Sequence, residues 1–525
     1  MNIASILHDE AARRLGHPAI VHRGGTITFD DLDRAASAAA RDLAGMGVAA
    51  GKRVLVLVPM SIELYVVLIA LFRLRATAVI VDPSSGRERL DQCVGRAVPD
   101  ALVAVPKGHF LRLRSRAVRR IPLSVSIGGY VPLARRIRVR TLDTADAVEA
   151  CAPDTPAIIT FTSGSTGEPK AAVRTHGFLL AQHRALAASL SLRPGEVDLT
   201  TLPIFLLANL ASGVSSVVPD ADLRAPGAID PAPVLAQVRE AAVTRTVASP
   251  AFLLRLIAHP SAADGLAGMK RIFTGGAPVF ARALDALAAA APGAEIVAVY
   301  GSTEAEPIAE IERRQIGEDD RRAMRAGAGL LAGVPVPSVK VAILDDRWST
   351  PLGPWTGEEF ARETLPHSTT GEIVVSGDHV LSGYLDGRGD TDTKIRVGDR
   401  TWHRTGDAGY LDASGRLWLL GRCGARADDE HGRVYPFAVE CAASDLEGLR
   451  RSAFVRHDGA RVLVVEPEGG ADAETLVEHL RARLAWAHLA DILVVERIPV
   501  DARHNAKVDY PALARLLRER SLSNA

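Results

Sequence analysis

Nine consecutive residues, Thr162-Ser163-Gly164-Ser165-Thr166-Gly167-Glu168-Pro169-Lys170, follow directly on an apolar run at 157–161. Small residues let the backbone approach an oxyanion, hydroxyl and N–H groups supply donors, and a lysine supplies charge. Together they have the chemistry of a phosphate cradle. The P-loop of nucleotide triphosphatases is a different device, because it needs G-x-x-x-x-G-K-[ST]. Here Glu168-Pro169 separates Gly167 from Lys170, and Ala171 leaves no hydroxyl for a cation. A flexible Ser/Gly turn is the bland alternative, and the length and order of the donors argue against it.

Four further groups could do chemistry. Gly275-Gly276-Ala277-Pro278 follows the run 271–273, and Tyr300-Gly301-Ser302-Thr303-Glu304 follows the run 296–299. Glu304 offers a hard cation the oxygen ligand it prefers. Arg404-Thr405-Gly406-Asp407 precedes Gly409-Tyr410, with Gly421-Arg422 a short hairpin later. A carboxylate such as Asp407 is suited to a diol, since it has only acceptors to offer. Arg503-His504-Asn505-Ala506-Lys507 lies near the end of the chain. Taken singly these are an ordinary loop, a surface acid, a common turn and a solvated lysine. Their order and spacing lift them above that.

In that order the motifs resemble the adenylate-forming superfamily of acyl-CoA synthetases, peptide-synthetase adenylation domains and luciferases, over nearly the whole chain. The resemblance implies ATP as cosubstrate, with Thr162 to Gly167 and Lys170 clasping its β- and γ-phosphates. It lays Gly275, Gly276, Ala277 and Pro278 along the adenine and stacks Tyr300 on it, with Gly301 and Ser302 in the same run. It places Thr303 at the α-phosphate, gives Glu304 the Mg²⁺, and has Asp407 accept both ribose hydroxyls while Arg422 adds a ribose contact. Lys507 would be swung in by a mobile domain to bridge the α-phosphate and the substrate carboxylate. A point cation there stabilises the charge that develops as pyrophosphate leaves.

The acid itself is read from the segment 202–210, with Phe205, Asn209 and Gly301 as candidate substrate contacts. Amino-acid-activating members place an Asp ahead of this pocket to hold the ammonium. This segment is apolar and has no acid, and a buried ammonium without a counter-charge is costly. An acyl chain is the better fit. The histidine that many acyl-CoA ligases carry after Pro-x-Phe is absent. Ala425 stands at their charged hinge position, and ADDEHGRVYPFAVE replaces their pantetheine-tunnel loop, with Gly432 and Glu440 as counterparts.

Several stretches look closer to the OleC-type β-lactone synthetases of olefin biosynthesis. Among them are YGSTEAEPIAEIE, GAGLLAGVPVP, WHRTGDAGYLDASGRLWLLGR and RHNAK. That branch adenylates a β-hydroxy acid whose own hydroxyl then displaces AMP. No CoA is needed, since the nucleophile is intramolecular. Ala171 in place of the usual Gly and the stretch GRCGARADDEH depart from the branch. The alternatives are an acyl-CoA ligase acting on CoA or a carrier-protein thiol, and a nucleotide-binding homologue without turnover.

The elements that must position these residues are legible as an α/β pattern. Thr28-x-x-Asp31 starts a helix whose apolar face is Leu32, Ala35, Ala39 and Leu43. The runs 54–58 and 78–81 bracket a further helix, and strand–helix–strand order predicts a parallel sheet with covered faces. Ligands of such sheets collect at the carboxyl ends of strands, where the Gly-rich turns lie. From about 339 the texture changes to short alternating strands (340–344, 372–376, 409–412, 417–420), a small β-barrel-like subdomain. An α+β stretch with strands near 462–465 and 492–495 ends the chain. The expected division is 1–422, an N-terminal adenylate-forming domain, and 426–525, a mobile lid carrying Lys507.

Composition narrows the partners. Lys+Arg and Asp+Glu balance at 62 each over 525 residues, so no net field steers the chain to nucleic acid. Four scattered cysteines without a C-x-x-C pair argue against a disulfide framework or structural zinc. The N-terminus has acids and no apolar core, unlike a signal peptide. Arg73 and Arg75 interrupt the apolar stretch 64–81, which therefore reads as a buried helix entering a strand. A cytoplasmic protein acting on a small carboxylic acid is expected. Residues 107–140 hold many Arg and no acid. They read as a solvated surface hairpin, or more sharply as a patch that meets a membrane or a substrate-delivering partner.

Overall fold

The computed structural model describes residues 1–82, 86–163, 168–501 and 507–523. The fold is mixed α/β, in two compact units. One comprises Met1–Asp220, Thr303–Glu306 and Asp378–Lys394; the other comprises Ala221–Ser302, Pro307–Gly377 and Ile395–Ala525. Gly164, Ser165, Thr166 and Gly167 of the phosphate-loop motif, and the 503–506 stretch before Lys507, lie outside the described residues.

The first unit is built on a seven-stranded sheet. Its order is Arg135–Ile137, Leu123–Ile127, Ala101–Ala104, Arg53–Leu57, Thr77–Ile80, Pro156–Ser163 and Pro169–Thr175. All neighbours pair in parallel except the last two, which form an antiparallel ribbon. The helix Phe29–Gly45 starts as its sequence predicts, with the Thr28 hydroxyl accepting the Asp31 N–H at 3.2 Å. Ile62–Arg73 is apolar on all sides and therefore buried. Its Arg73 is also buried; the guanidinium pairs with Asp33 and donates to the Asp146 carbonyl at 2.7 Å. The interrupting charge is thus neutralised inside the protein.

Residues 107–140 are not a hairpin. They form three short helices (Pro106–His109, Leu111–Arg114, Arg116–Arg119), the strand Leu123–Ile127 and the edge strand Arg135–Ile137, which run parallel. Val125, Ile127 and Ile137 are buried under the sheet, and that burial draws the segment into it.

The second unit contains the parallel strands Arg245–Ala248, Arg271–Gly275 and Glu295–Ser302. After Ala305–Glu312 and Leu330–Pro335 come the antiparallel neighbours Leu417–Arg422, Arg400–Leu411, Gly371–Ser376 and Lys340–Leu344. The expected strands are present. Their order is open, with Lys340–Leu344 at one edge, and no pairing among the described residues closes them into a barrel. The C-terminal stretch is a three-stranded sheet, Leu449–His457, Ala460–Pro467 and Asp491–Val494. Alternate residues serve opposite faces. Leu463 and Val465 pack with Val439 and Leu480, while Val462 and Val464 pack with Leu513 and Leu517. No helix among the described residues is long and apolar enough to cross a membrane.

Candidate active site

In the first unit the motif residues are tied together by two side chains that the motifs did not include. Lys170 lies opposite Thr162 in the ribbon that flanks the phosphate-loop motif. It is buried, and its stem packs so closely that a Cβ on Gly389 would lie 2.9 Å from its Cδ. Its ammonium is 5.8 Å from the centre of the Tyr384 ring, and that of Lys394 is 5.2 Å away. The Tyr384 hydroxyl donates to Glu304 Oε1 at 2.9 Å. Burial, reinforced by the adjacent Glu304 carboxylate, pushes this phenol far above its ordinary range, so it remains a donor. Arg174 is the other tie. Its Nη2 donates to the Thr303 carbonyl and its Nη1 to Thr160 Oγ1, each at 2.8 Å.

Phe205 and Asn209 lie on the helix Pro203–Ala211, which starts with proline at its first position. Both are buried. The Asn209 amide donates to Asp198 Oδ2 at 2.8 Å, Ser216 Oγ at 3.0 Å and Thr200 Oγ1 at 3.1 Å. Asp198 itself has no exposed surface. The acid-free segment therefore rests on a fully buried aspartate that the segment does not contain. The signal for it was Asp198-x-Thr200, two polar residues on one face of a short strand.

In the second unit the Gly275 turn and the Tyr300 run end neighbouring parallel strands, with Gly275 opposite Val299. A Cβ on Gly275 would lie 2.5 Å from the Val299 carbonyl oxygen, so glycine is required. Gly276 has φ +78°, the left-handed region, and Ala277-Pro278 complete the turn. Tyr300 donates its hydroxyl to Asp407 Oδ2 at 2.8 Å, and Arg422 Nη1 donates to Asp407 Oδ1 at 3.0 Å. Arg422 and Asp407 face each other across adjacent antiparallel strands. Burial, followed by the charge of Asp407, raises the Tyr300 phenol well above its usual value. Gly301 follows Tyr300 in the strand, and the Ser302 hydroxyl is buried without a hydrogen-bond partner among the described residues. Such an orphaned donor suits a ligand's oxygen. Lys507 is exposed; its backbone N–H donates to Asp501 Oδ1 at 2.9 Å, and the Asp501 N–H returns a bond to its carbonyl at 2.8 Å.

The family of AMP-binding enzymes matches residues 7–385. The chain belongs to the AMP-binding enzyme family. This AMP-binding enzyme is 35% identical over 512 residues to an olefin β-lactone synthetase of Stenotrophomonas maltophilia, covering 93% of this chain and 91% of the relative. An olefin β-lactone synthetase of Xanthomonas campestris is 34% identical over 549 residues, covering 98% and 97%. Among solved structures, the amide bond synthetase McbA from Marinactinospora thermotolerans has the same fold, with a TM-score of 0.80 at 23% identity over 98% of this chain and 99% of that one. The AMP-binding enzyme is thus an adenylate-forming ligase, as its motif order implied.

Proposed function

We propose that this AMP-binding enzyme uses ATP to activate a β-hydroxy-acyl acid as its acyl-adenylate and then closes it to a β-lactone. The near-full-length similarity to two olefin β-lactone synthetases supports the reading. In the first step a carboxylate oxygen attacks the α-phosphorus, the bond to the β-phosphate breaks, and pyrophosphate leaves. In the second, the substrate's hydroxyl oxygen attacks the acyl carbon, gives up its proton, and AMP leaves with the bonding pair. Ring closure is helped by the high effective concentration of an intramolecular nucleophile.

The roles are those that the resemblance to adenylate-forming enzymes implies. Thr162, Ser163, the Gly164–Gly167 stretch and Lys170 hold phosphate oxygens. Tyr300 and the Gly275–Pro278 turn hold the base, Asp407 and Arg422 the ribose, and Thr303 the α-phosphate. Phe205, Asn209 and Gly301 border the acyl chain. Lys507 supplies the charge at the attacked phosphorus, on a segment (426–525) that moves relative to residues 1–422.

A magnesium ion fits Glu304. No cluster of three metal-binding side chains occurs among the described residues, and Mg²⁺ is commonly held by one or two carboxylates with phosphate oxygens and water. Tyr384 fixes one carboxylate oxygen by its hydrogen bond, orienting Glu304 for the ion. When bound, the ion neutralises charge on the leaving pyrophosphate.

The test supplies a racemic β-hydroxy acid, ATP and Mg²⁺ without CoA. AMP and lactone should form in equal amounts, read by mass spectrometry. Turnover only after adding CoA or a carrier-protein thiol would replace this reading with a thioester-forming ligase. Lys507→Ala should abolish adenylate formation while nucleotide affinity stays within about tenfold, because a transition-state contact is lost. Normal adenylation by this variant would remove Lys507 from the mechanism.

A further inference from the structure

The carboxyl edge of the first unit's parallel sheet carries a surface that adenylation does not use. Phe110 and Leu113 follow the strand Ala101–Ala104, and Tyr130 and Leu133 follow the neighbouring parallel strand Leu123–Ile127. The two segments therefore emerge side by side. They also touch: a Cβ on Gly129 would lie 2.6 Å from Cγ of Pro106, the first residue of the helix preceding Phe110. Their four large apolar side chains are 65%, 76%, 75% and 95% exposed, respectively. Leu133 is held outward even though its φ of +61° is disfavoured for a residue with a Cβ. Isolated exposed apolar residues need no explanation, but grouped ones mark an interaction site.

The charge around them has one sign. Residues 107–140 contain one Lys, nine Arg and no acid. Arg114, Arg116, Arg119, Arg135 and Arg136 are exposed, while Arg140 pairs with Asp42 at 2.8 Å. The rest of the chain must then be net acidic, since the total charge is zero. This is a local field and not a property of the whole protein. Cations interleaved with Phe, Leu and Tyr side chains match the headgroup region of an anionic bilayer, where apolar groups enter the acyl boundary and arginines meet lipid phosphates.

We propose that this edge docks the protein on an anionic membrane surface. Pro156–Ser163, which leads into the phosphate-loop motif, runs parallel in the same sheet and ends at the same edge. It stands three and four strand spacings away, roughly 14 and 19 Å at the usual separation. An acid dissolved in the bilayer would enter on the side where the sheet already presents its ligand-binding ends. The docking itself does not depend on which acid is activated.

The full chain is sedimented with vesicles of phosphatidylcholine alone and with vesicles containing about 30% phosphatidylglycerol, close to a physiological anionic surface. Partitioning into the anionic vesicles should be at least ~10-fold higher and should collapse near ~0.5 M salt, where screening is strong. Arg114→Glu with Arg119→Glu and Arg136→Glu should remove ~10-fold or more of that binding, since each basic residue near such a surface contributes several-fold. Phe110→Ser with Leu113→Ser, Tyr130→Ser and Leu133→Ser should abolish quenching by lipid-borne quenchers. All seven positions are exposed, so thermal melting and adenylation of a short soluble acid should be unchanged in both variants. Equal binding to neutral and anionic vesicles, no vesicle binding, or binding only to a nucleic acid or protein would overturn the proposal.

Discussion

One strand, Arg400–Leu411, carries two arginine–carboxylate pairs three residues apart, and they behave as opposites. Arg404 and Glu372 have no exposed side-chain surface, and Nε and Nη2 of the arginine both reach Glu372 Oε2, at 3.0 and 2.6 Å. The remaining donors go to the Thr350 and Arg347 carbonyls at 2.6 and 3.1 Å. Asp407 and Arg422 instead meet at 3.0 Å with 18% and 51% of their side chains exposed. With Asp407 and Arg422 at the ribose as proposed, the same chemistry serves two purposes. A buried pair in which each guanidinium nitrogen donates a hydrogen bond cannot exchange partners cheaply, so it fixes the strand. A pair open to solvent can give up its contacts to ribose hydroxyls at little cost.

The largest expected effect tests the buried pair. Glu372→Ala would leave the Arg404 guanidinium buried without its counter-charge, which typically costs about 3–5 kcal/mol. Urea denaturation should show that loss. A change below about 1 kcal/mol would mean that the pair does not hold the strand, and the contrast with Asp407 would fail.

A third carboxyl, this one buried, sharpens the point. Glu440 is 4% exposed, and its Oε1 accepts the Phe454 N–H at 3.0 Å and the Tyr510 hydroxyl at 3.4 Å. It has no arginine partner among the described residues, and burial pushes its pKa up from 4.5 to about 8. The folded protein then holds a proton that the unfolded chain releases. The contribution to stability is complete below the unfolded pKa near 4.5 and is lost as pH rises through about 8. Glu440→Gln cannot ionise and should lack this slope, gaining about 1.4 kcal/mol on the parent per pH unit across that window. Parallel melting curves from pH 5 to about 9 for the two proteins would refute the assignment.

Asp407→Asn probes the open pair from the ligand side. If Asp407 accepts the ribose hydroxyls as proposed, the substitution should weaken AMP binding by about 10- to 100-fold in calorimetry, the range for hydrogen bonds to charged groups. Stability should move by about 1 kcal/mol or less. Large destabilisation with unchanged affinity would reverse the roles given to the two pairs.

Much of the scaffold was legible because its signals are local. Thr28 caps its helix, strands appear where apolar runs of strand length end in glycine turns, and Gly275 sits where only glycine fits. What the sequence hides is pairing over distance. Arg73 looked like an interruption because Asp33 lies 40 residues away. Tyr384 and Glu304 are 80 residues apart, and Glu372 and Arg404 are 32 apart. No local period records such contacts. The segment 107–140 shows the same limit: its charge marked it as surface, but charge says nothing about whether Leu123–Ile127 and Arg135–Ile137 pair in parallel. The small strands of the second unit were read correctly as elements, while closure into a barrel depends on register that alternation alone does not encode.

The smallest effect is the most direct test of the contrast. Arg422 gives Nη1 to both Asp407 Oδ1 and the Thr405 carbonyl, each at 3.0 Å, from a half-exposed position. If it is removed, Asp407 keeps the Tyr300 hydroxyl and gains water, so no buried charge is stranded. Arg422→Ala should therefore cost about 1 kcal/mol or less in urea, within the range of solvent-exposed ion pairs. The Glu372→Ala variant removes one partner of a pair of identical type on the same strand. A loss at Arg422 as large as that at Glu372 would show that exposure is not what separates them, and the distinction between fixing and working pairs would have to rest on something other than burial.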